Sequence, residues 1–207
     1  MSFSDSTLVA FTQDLASASP APGGGSTAAL AGALGASLVA MVCHLTIGRK
    51  NYQNVSEKFQ AMLPRAEALR AELLNAIQHD ADAYSQVMIA YQLPKDSDAE
   101  KSVRTRAIQN ALKHAAEIPL RVATACAEIL EMAEIAAAHG NKNAASDAGA
   151  GALMAEAGLR AALLNVEINL GLVQDEAFNS NTRAQLEPLK RVAAKRQSIL
   201  DSVQARI

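Results

Sequence analysis

The sequence predicts an all-α protein, an antiparallel bundle of long helices forming one domain over residues 1–207. Three observations predict it. Residues are half apolar (50%) and only 3% aromatic, with no Trp, and Ala, Leu, Glu, Lys and Gln dominate, which is the composition of helices rather than of sheets. Apolar residues recur at helical spacing between clear breakers, and no stretch alternates with a convincing period of two. The links between these segments are short, so successive helices return antiparallel.

Taken in order, Ser4 to Ser17 reads as a short amphipathic piece. Pro20-Ala21-Pro22-Gly23-Gly24-Gly25 cannot continue it and forms a loop. From Ser26 to Ile47 runs an uncharged stretch long enough to cross a bilayer, but it is built of Ala, Gly and Ser rather than the Leu, Ile, Val and Phe of a lipid anchor. Ala28, Gly32 and Ala36, four apart, instead make a smooth seam for close helix packing, within the bundle or at a subunit interface. A long helix follows from Val55 to about Tyr91, kinked or restarted at Pro64 and closed by Leu93-Pro94-Lys95. Ser97 and Glu100 have capping-box spacing and open a helix with Val103, Ile108 and Leu112 on its buried side, with a break expected at Pro119. Beyond it Ile129, Met132, Ala133 and Ala136 form an apolar stripe ending at Gly140. After an Asn141-Lys142-Asn143 connector, Ser146 or Asp147 is placed to cap a helix reaching Leu170-Gly171. A last helix runs from about Asp175 to Ile207, interrupted at Pro188.

Charge and cysteine content narrow the functional classes. Nineteen basic and 21 acidic residues give a net charge of −2, which removes the positive field of a general nucleic-acid binder. The two cysteines, Cys43 and Cys126, sit in apolar runs without metal-ligand spacing, and no compact signal peptide opens the chain. Buried thiols in a reducing, cytoplasmic compartment are expected. The four histidines, His44, His79, His114 and His139, show no ligand pairing, so no metal is expected, and His44 reads as a hydrogen-bonded core residue.

Several residues can carry chemistry. Gly23-Gly24-Gly25-Ser26 opens a helix whose free N–H groups suit a carboxylate or phosphate; it is neither a Walker loop nor a dinucleotide fingerprint, and a plain connector fits equally. Asp80 shares a helical face with Tyr84, Val87 and Tyr91, so it either meets a partner helix, where desolvation raises its pKa, or lies on a solvated face with His79 and Asp82. Arg49 and Lys50 complement a helix C-terminus or grip an anionic tail. Asn165 and Asn169, four apart among apolar neighbours, must find partners if buried.

These residues together resemble the cyclodeaminase/cyclohydrolase family, which comprises bacterial methenyltetrahydrofolate cyclohydrolases and the cyclodeaminase part of formimidoyltransferase-cyclodeaminase. The likeness is carried by Pro22-Gly23-Gly24-Gly25-Ser26, Leu45-Thr46-Ile47-Gly48-Arg49-Lys50, Asp80 to Tyr84, Leu93-Pro94-Lys95, Gly140-Asn141 through Ser146-Asp147, and Asn165 to Asn169, in order over nearly the whole chain. His44 stands where relatives commonly carry Asn, and Tyr84 where many carry Phe.

The resemblance implies an all-helical homodimer acting on a tetrahydrofolate derivative, polyglutamylated forms included, with no cofactor, no metal, no nucleic acid and no membrane. Either water attacks the methenyl carbon, or a folate nitrogen attacks a formimino carbon and ammonia leaves. Both reactions need proton transfer, for which the resemblance offers Asp80 and Asp147. Gly23, Gly24, Gly25, Ser26, Tyr84, Asn143 and Ser146 would contact substrate, Lys95 would offset negative charge, and Arg49 or Lys50 would meet the glutamate tail. No formimidoyltransferase domain accompanies these motifs, which tilts the expectation toward cyclohydrolase. A noncatalytic anion-binding module and a scaffold dimer are the alternatives from other classes.

Overall fold

The computed structural model describes residues 2–207. A 3₁₀ turn, Phe3–Asp5, leads into α1 (Leu8–Leu15), which Thr7 caps by accepting the Ala10 N–H. The long elements are α2 (Gly24–Thr46), α3 (Gln53–Tyr91), α4 (Asp98–His139) and α5 (Ala145–Leu170), followed by α6 (Glu176–Ala193) and α7 (Arg196–Gln204). No strand occurs among the described residues.

Helix α2 packs on α3, α4 and α5 at once, so the apolar run that could have crossed a membrane is the central helix of the bundle. The small-residue seam works inside the chain: Ala28 and Ala36 are buried, and a Cβ on Gly158 of α5 would lie 2.8 Å from the Ala28 carbonyl and 3.0 Å from the Gly32 nitrogen. Only glycine permits this backbone approach. At the far end of the same crossing Gly35 meets Gly151, and at the near end Gly24 meets Asn165, so α2 and α5 run antiparallel. Cys43 and Cys126 are free and buried in this core, and burial pushes their thiols up to about 11 and about 12. A smaller second core, Ala83, Val87, Ile108, Leu112, Ala115 and Val173, joins the outer halves of α3 and α4.

The Ser97–Glu100 capping box forms as expected, with Ser97 Oγ accepting from Glu100 N at 3.2 Å and Glu100 accepting from Ser97 N at 2.8 Å. The Ile129, Ala133 and Ala136 stripe is buried. Other expectations fail for identifiable reasons. Pro119 does not break α4, because the carbonyl its missing N–H leaves free, Ala115 O, receives Asn169 Nδ2 at 2.9 Å. Pro188 lies within α6, and the last helix breaks instead at Ala194–Lys195. Ala184, whose carbonyl Pro188 frees, is exposed to water. Pro64 also sits inside α3, so of the two expectations there, a kink or a restart, the restart is the one that fails. Val103 is 51% exposed, since five residues turn it about 140° from Ile108 while Ile108 and Leu112 share the buried face. His44 is exposed rather than in the core, on the outer stripe of α2 with Met41. Neither Ser146 nor Asp147 caps α5: a 3₁₀ turn, Lys142–Ala144, capped by the Asn141 side chain, feeds directly into it, and both residues lie in its first turn.

Candidate active site

The glycine turn places the start of α2 against the middle of α3. Gly23 is the extended N-cap of α2, which has no side-chain cap of its own. The positive end of the helix is filled from α3 by Asp80. A Cβ on Gly25 would stand 2.0 Å from Asp80 Oδ1, so only glycine leaves room for this carboxyl. Asp80 therefore takes the anion position at the start of α2, while Gly23, Gly24 and Gly25 line the crevice beside it.

Ser26 is fully buried and its hydroxyl donates to Asp80 Oδ2 at 2.9 Å, with Ile77 O also within reach at 3.1 Å. One hydroxyl proton serves one acceptor at a time. With Asp80 ionised it points to the carboxylate; with Asp80 protonated it turns to Ile77 O and accepts the carboxyl proton. Ser26 thus keeps a partner in both protonation states. Burial raises the Asp80 pKa above the ordinary carboxylate value, opposed by the Ser26 hydroxyl and main-chain N–H. A carboxyl poised in this way can exchange protons nearer neutral pH than a solvated one.

Around Asp80 lies a crevice of about 310 Å³ where the two cores meet. Pro20, Gly23 and Gly24 form one side; Tyr84 and Val87 of α3, Leu112 and Ala115 of α4, and Asn165, Ile168 and Asn169 of α5 form the rest. Its walls are mainly apolar, with few polar groups converging, as in small-molecule sites. Tyr84, partly exposed, stands at the rim.

The remaining candidates gather at the opposite end. Asn141 binds the end of α2 twice, through its N–H to Thr46 Oγ1 at 2.9 Å and through Nδ2 to Leu45 O at 2.8 Å, while Lys142 N–H donates to Tyr52 Oη at 2.8 Å. These bonds unite the motif at Leu45–Lys50 with the motif at Gly140–Asp147. Arg49, Lys50, Lys142 and Asn143 line an open basin of about 600 Å³ with Asn51, Tyr52 and Asn141, and no acidic side chain lines it. None of Arg49, Lys50 and Lys142 is in an ion pair with a described residue. Ser146 is exposed and Asp147 half-buried beside it in the chain.

Asp147 lies 18 residues before Asn165 along α5, about 27 Å at 1.5 Å per residue, so one chain does not bring Asp80 and Asp147 together. Lys95 stands in the exposed link between α3 and α4 and is outside the crevice wall. Sequence reasoning did not assign Asn165, Asn169 or Lys142 to a site. Lys142 had a signal in its place between two motif asparagines; the asparagine pair had one in its i, i+4 spacing.

A helical bundle that holds one desolvated carboxyl over a glycine turn, in a largely apolar crevice, has the geometry of an acid–base site for a small organic ligand. The chain belongs to the formiminotransferase-cyclodeaminase family, whose model matches residues 7–188. It is 44% identical over 202 residues to a methenyltetrahydrofolate cyclohydrolase of Methylorubrum extorquens, covering 97% of each chain. It is 34% identical to the formimidoyltransferase-cyclodeaminase of Rattus norvegicus, of which it spans 38% while 98% of its own length is matched. The crystal structure of a formiminotetrahydrofolate cyclodeaminase from Thermotoga maritima superposes with a TM-score of 0.87 at 29% identity over 97% of both chains.

Proposed function

We propose that the protein is a 5,10-methenyltetrahydrofolate cyclohydrolase, working by general acid/base catalysis without a metal or any cofactor besides its folate. The observation that carries the reading is Asp80, a raised-pKa carboxyl held by Ser26 in an apolar crevice, in a chain that aligns end to end with a cyclohydrolase. The methenyl carbon bridges N5 and N10 as a cationic amidine, which an ionised Asp80 attracts. Water adds to that carbon as a proton leaves its oxygen. The tetrahedral carbon then loses its bond to N5, N5 gains a proton, the hydroxyl proton departs, and the formyl group stays on N10. One proton is released overall. Asp80 serves in these three transfers, and the end-to-end separation leaves any second acid–base group to come from elsewhere.

A second copy supplies it in this reading. Leu34 and Met41 of α2 with Leu153, Leu164 and Ile168 of α5 form an exposed apolar strip that runs into the crevice. A two-fold dimer across this strip exchanges the ends of the bundle and sets Asp147 and the cationic basin of one copy against the Asp80 crevice of the other. Arg49, Lys50 and Lys142 would then receive the glutamate tail, with longer polyglutamates gripped better. The free buried thiols suit a cytoplasmic, reducing setting.

The likeness to the Thermotoga cyclodeaminase favours a second reading, in which a formimino-folate closes to the methenyl compound and ammonia leaves. Near-ultraviolet absorbance separates the two. The cyclohydrolase reading expects enzyme-dependent loss of the methenyl-folate band. It is overturned if that band is stable with enzyme and instead grows from formimino-folate with release of ammonia.

A further inference from the structure

Asn165 and Asn169 line the crevice one turn apart on α5, and neither amide is free to turn. Asn169 Nδ2 donates to Ala115 O and to the main-chain oxygen of Asn165, each at 2.9 Å. Both neighbours are carbonyls, so the flipped amide would face oxygen with oxygen; chemistry fixes the orientation. Ala115 O is available because Pro119 has no N–H to bond it from within α4. Asn165 Nδ2 is held in the same sense by Ala161 O at 2.8 Å. Both N–H donors of Asn169 and one of Asn165 are spent on main-chain carbonyls, which leaves each Oδ1 as an acceptor, and no described residue donates to either.

We infer that Asn165 and Asn169 are an acceptor pair that determines which ring the crevice takes. They select a heterocycle whose edge carries amino and ring N–H donors, such as the 2-amino-4-oxo ring of a reduced pterin, over one that lacks them. Pro119 is the positioning residue, since it frees the carbonyl that orients Asn169. Asp80 cannot make this selection alone, because it takes part in proton transfer and its Oδ2 is already held by Ser26. A purely structural role for Asn169 would account for its Nδ2 but not for a second amide beside it, tied only to its own helix.

This inference rests on the folate reading and deepens it. The test compares the dissociation constants of 5-formyltetrahydrofolate and its 2-desamino analogue, measured by calorimetry. The native protein should bind the analogue at least about tenfold more weakly. Asn169→Leu should reduce that ratio to under about twofold, but it strands Ala115 O and can unsettle the fold. Pro119→Ala/Asn169→Leu restores a helix N–H to Ala115 O; it should recover the thermal midpoint while still failing to discriminate. Pro119→Ala alone, which leaves Asn169 with only one of its two anchors, should give an intermediate ratio. Equal binding of the two compounds by native protein, or full discrimination by the folded double variant, would overturn the inference while leaving turnover of methenyl-folate as support for the function. A native protein that binds neither compound and turns over neither folate overturns both.

Discussion

The two ends of the bundle differ in every property that matters to a ligand. The Asp80 end is small, walled by apolar side chains, and has its one carboxyl packed so closely that Gly25 can carry no Cβ. The Asp147 end encloses about twice the volume, is lined by cations and amides, and lies open to water. An enclosed carboxyl suits bond-making at a cationic carbon, where a low dielectric strengthens every charge. Exposed cations suit an extended anion, whose attraction survives loose geometry. In the proposed reading this difference divides labour, reaction at one end and tethering at the other, and because α2 and α5 hold the ends apart, that reading requires two copies per working site.

The strongest way to break this comparison is to disable each end in turn. Asp80→Asn should lower kcat by about 10²–10⁴-fold in a folded protein. Asp147→Asn should do so comparably if the ends meet between copies. Equal mixtures of the two inactive variants, unfolded and refolded together, should then recover about a quarter of the native activity, since half the dimers are mixed and each has one intact site. No recovery would confine catalysis to the Asp80 end. Gly25→Ala comes next: its methyl displaces the carboxyl from Ser26, and activity should fall by about 10–10²-fold while α-helical circular dichroism is retained. At the other end, Arg49→Ala/Lys50→Ala should raise KM about tenfold for polyglutamylated substrate with kcat nearly unchanged, and added salt should narrow the gap. A drop in kcat instead would mean the basin takes part in the reaction.

The smallest effect is read by pH. Burial raises the Asp80 pKa and Ser26 lowers it, so Ser26→Ala should move the Asp80 limb of the rate profile to higher pH. The stability consequence has a definite sign. The folded state holds the Asp80 proton above the ordinary Asp value near 3.9 that the unfolded chain keeps, so stability falls as pH rises through that value and the raised one. Asp80→Asn removes this dependence, and its melting temperature relative to native protein should climb across the same window. A fixed difference across that window would show that Asp80 is not desolvated.

Most of the helices were legible in the sequence, because caps and breakers act locally: Ser97 and Glu100 form the capping box that their spacing predicts, and α4 ends at Gly140, though with an ordinary extended backbone there. The prolines were not, because a lost N–H is a local fact whereas its remedy is distant. Asn169 is 54 residues from Ala115, and no spacing rule links them. Of the site, the glycine turn and Asp80 could be picked out singly, but their mutual packing could not, since it depends on where α3 crosses the start of α2. The pairing of Asp80 with Asp147 had a readable obstacle: motifs at the two ends of an antiparallel helix pair cannot meet within one copy.

The two sealed thiols give the molecule a property of practical use. With pKa values of about 11 and about 12, Cys43 and Cys126 present almost no thiolate at neutral pH and no surface for an alkylating reagent. Labelling can proceed only when the centre of the bundle opens, so each native molecule carries its own clock for the rarest of its motions.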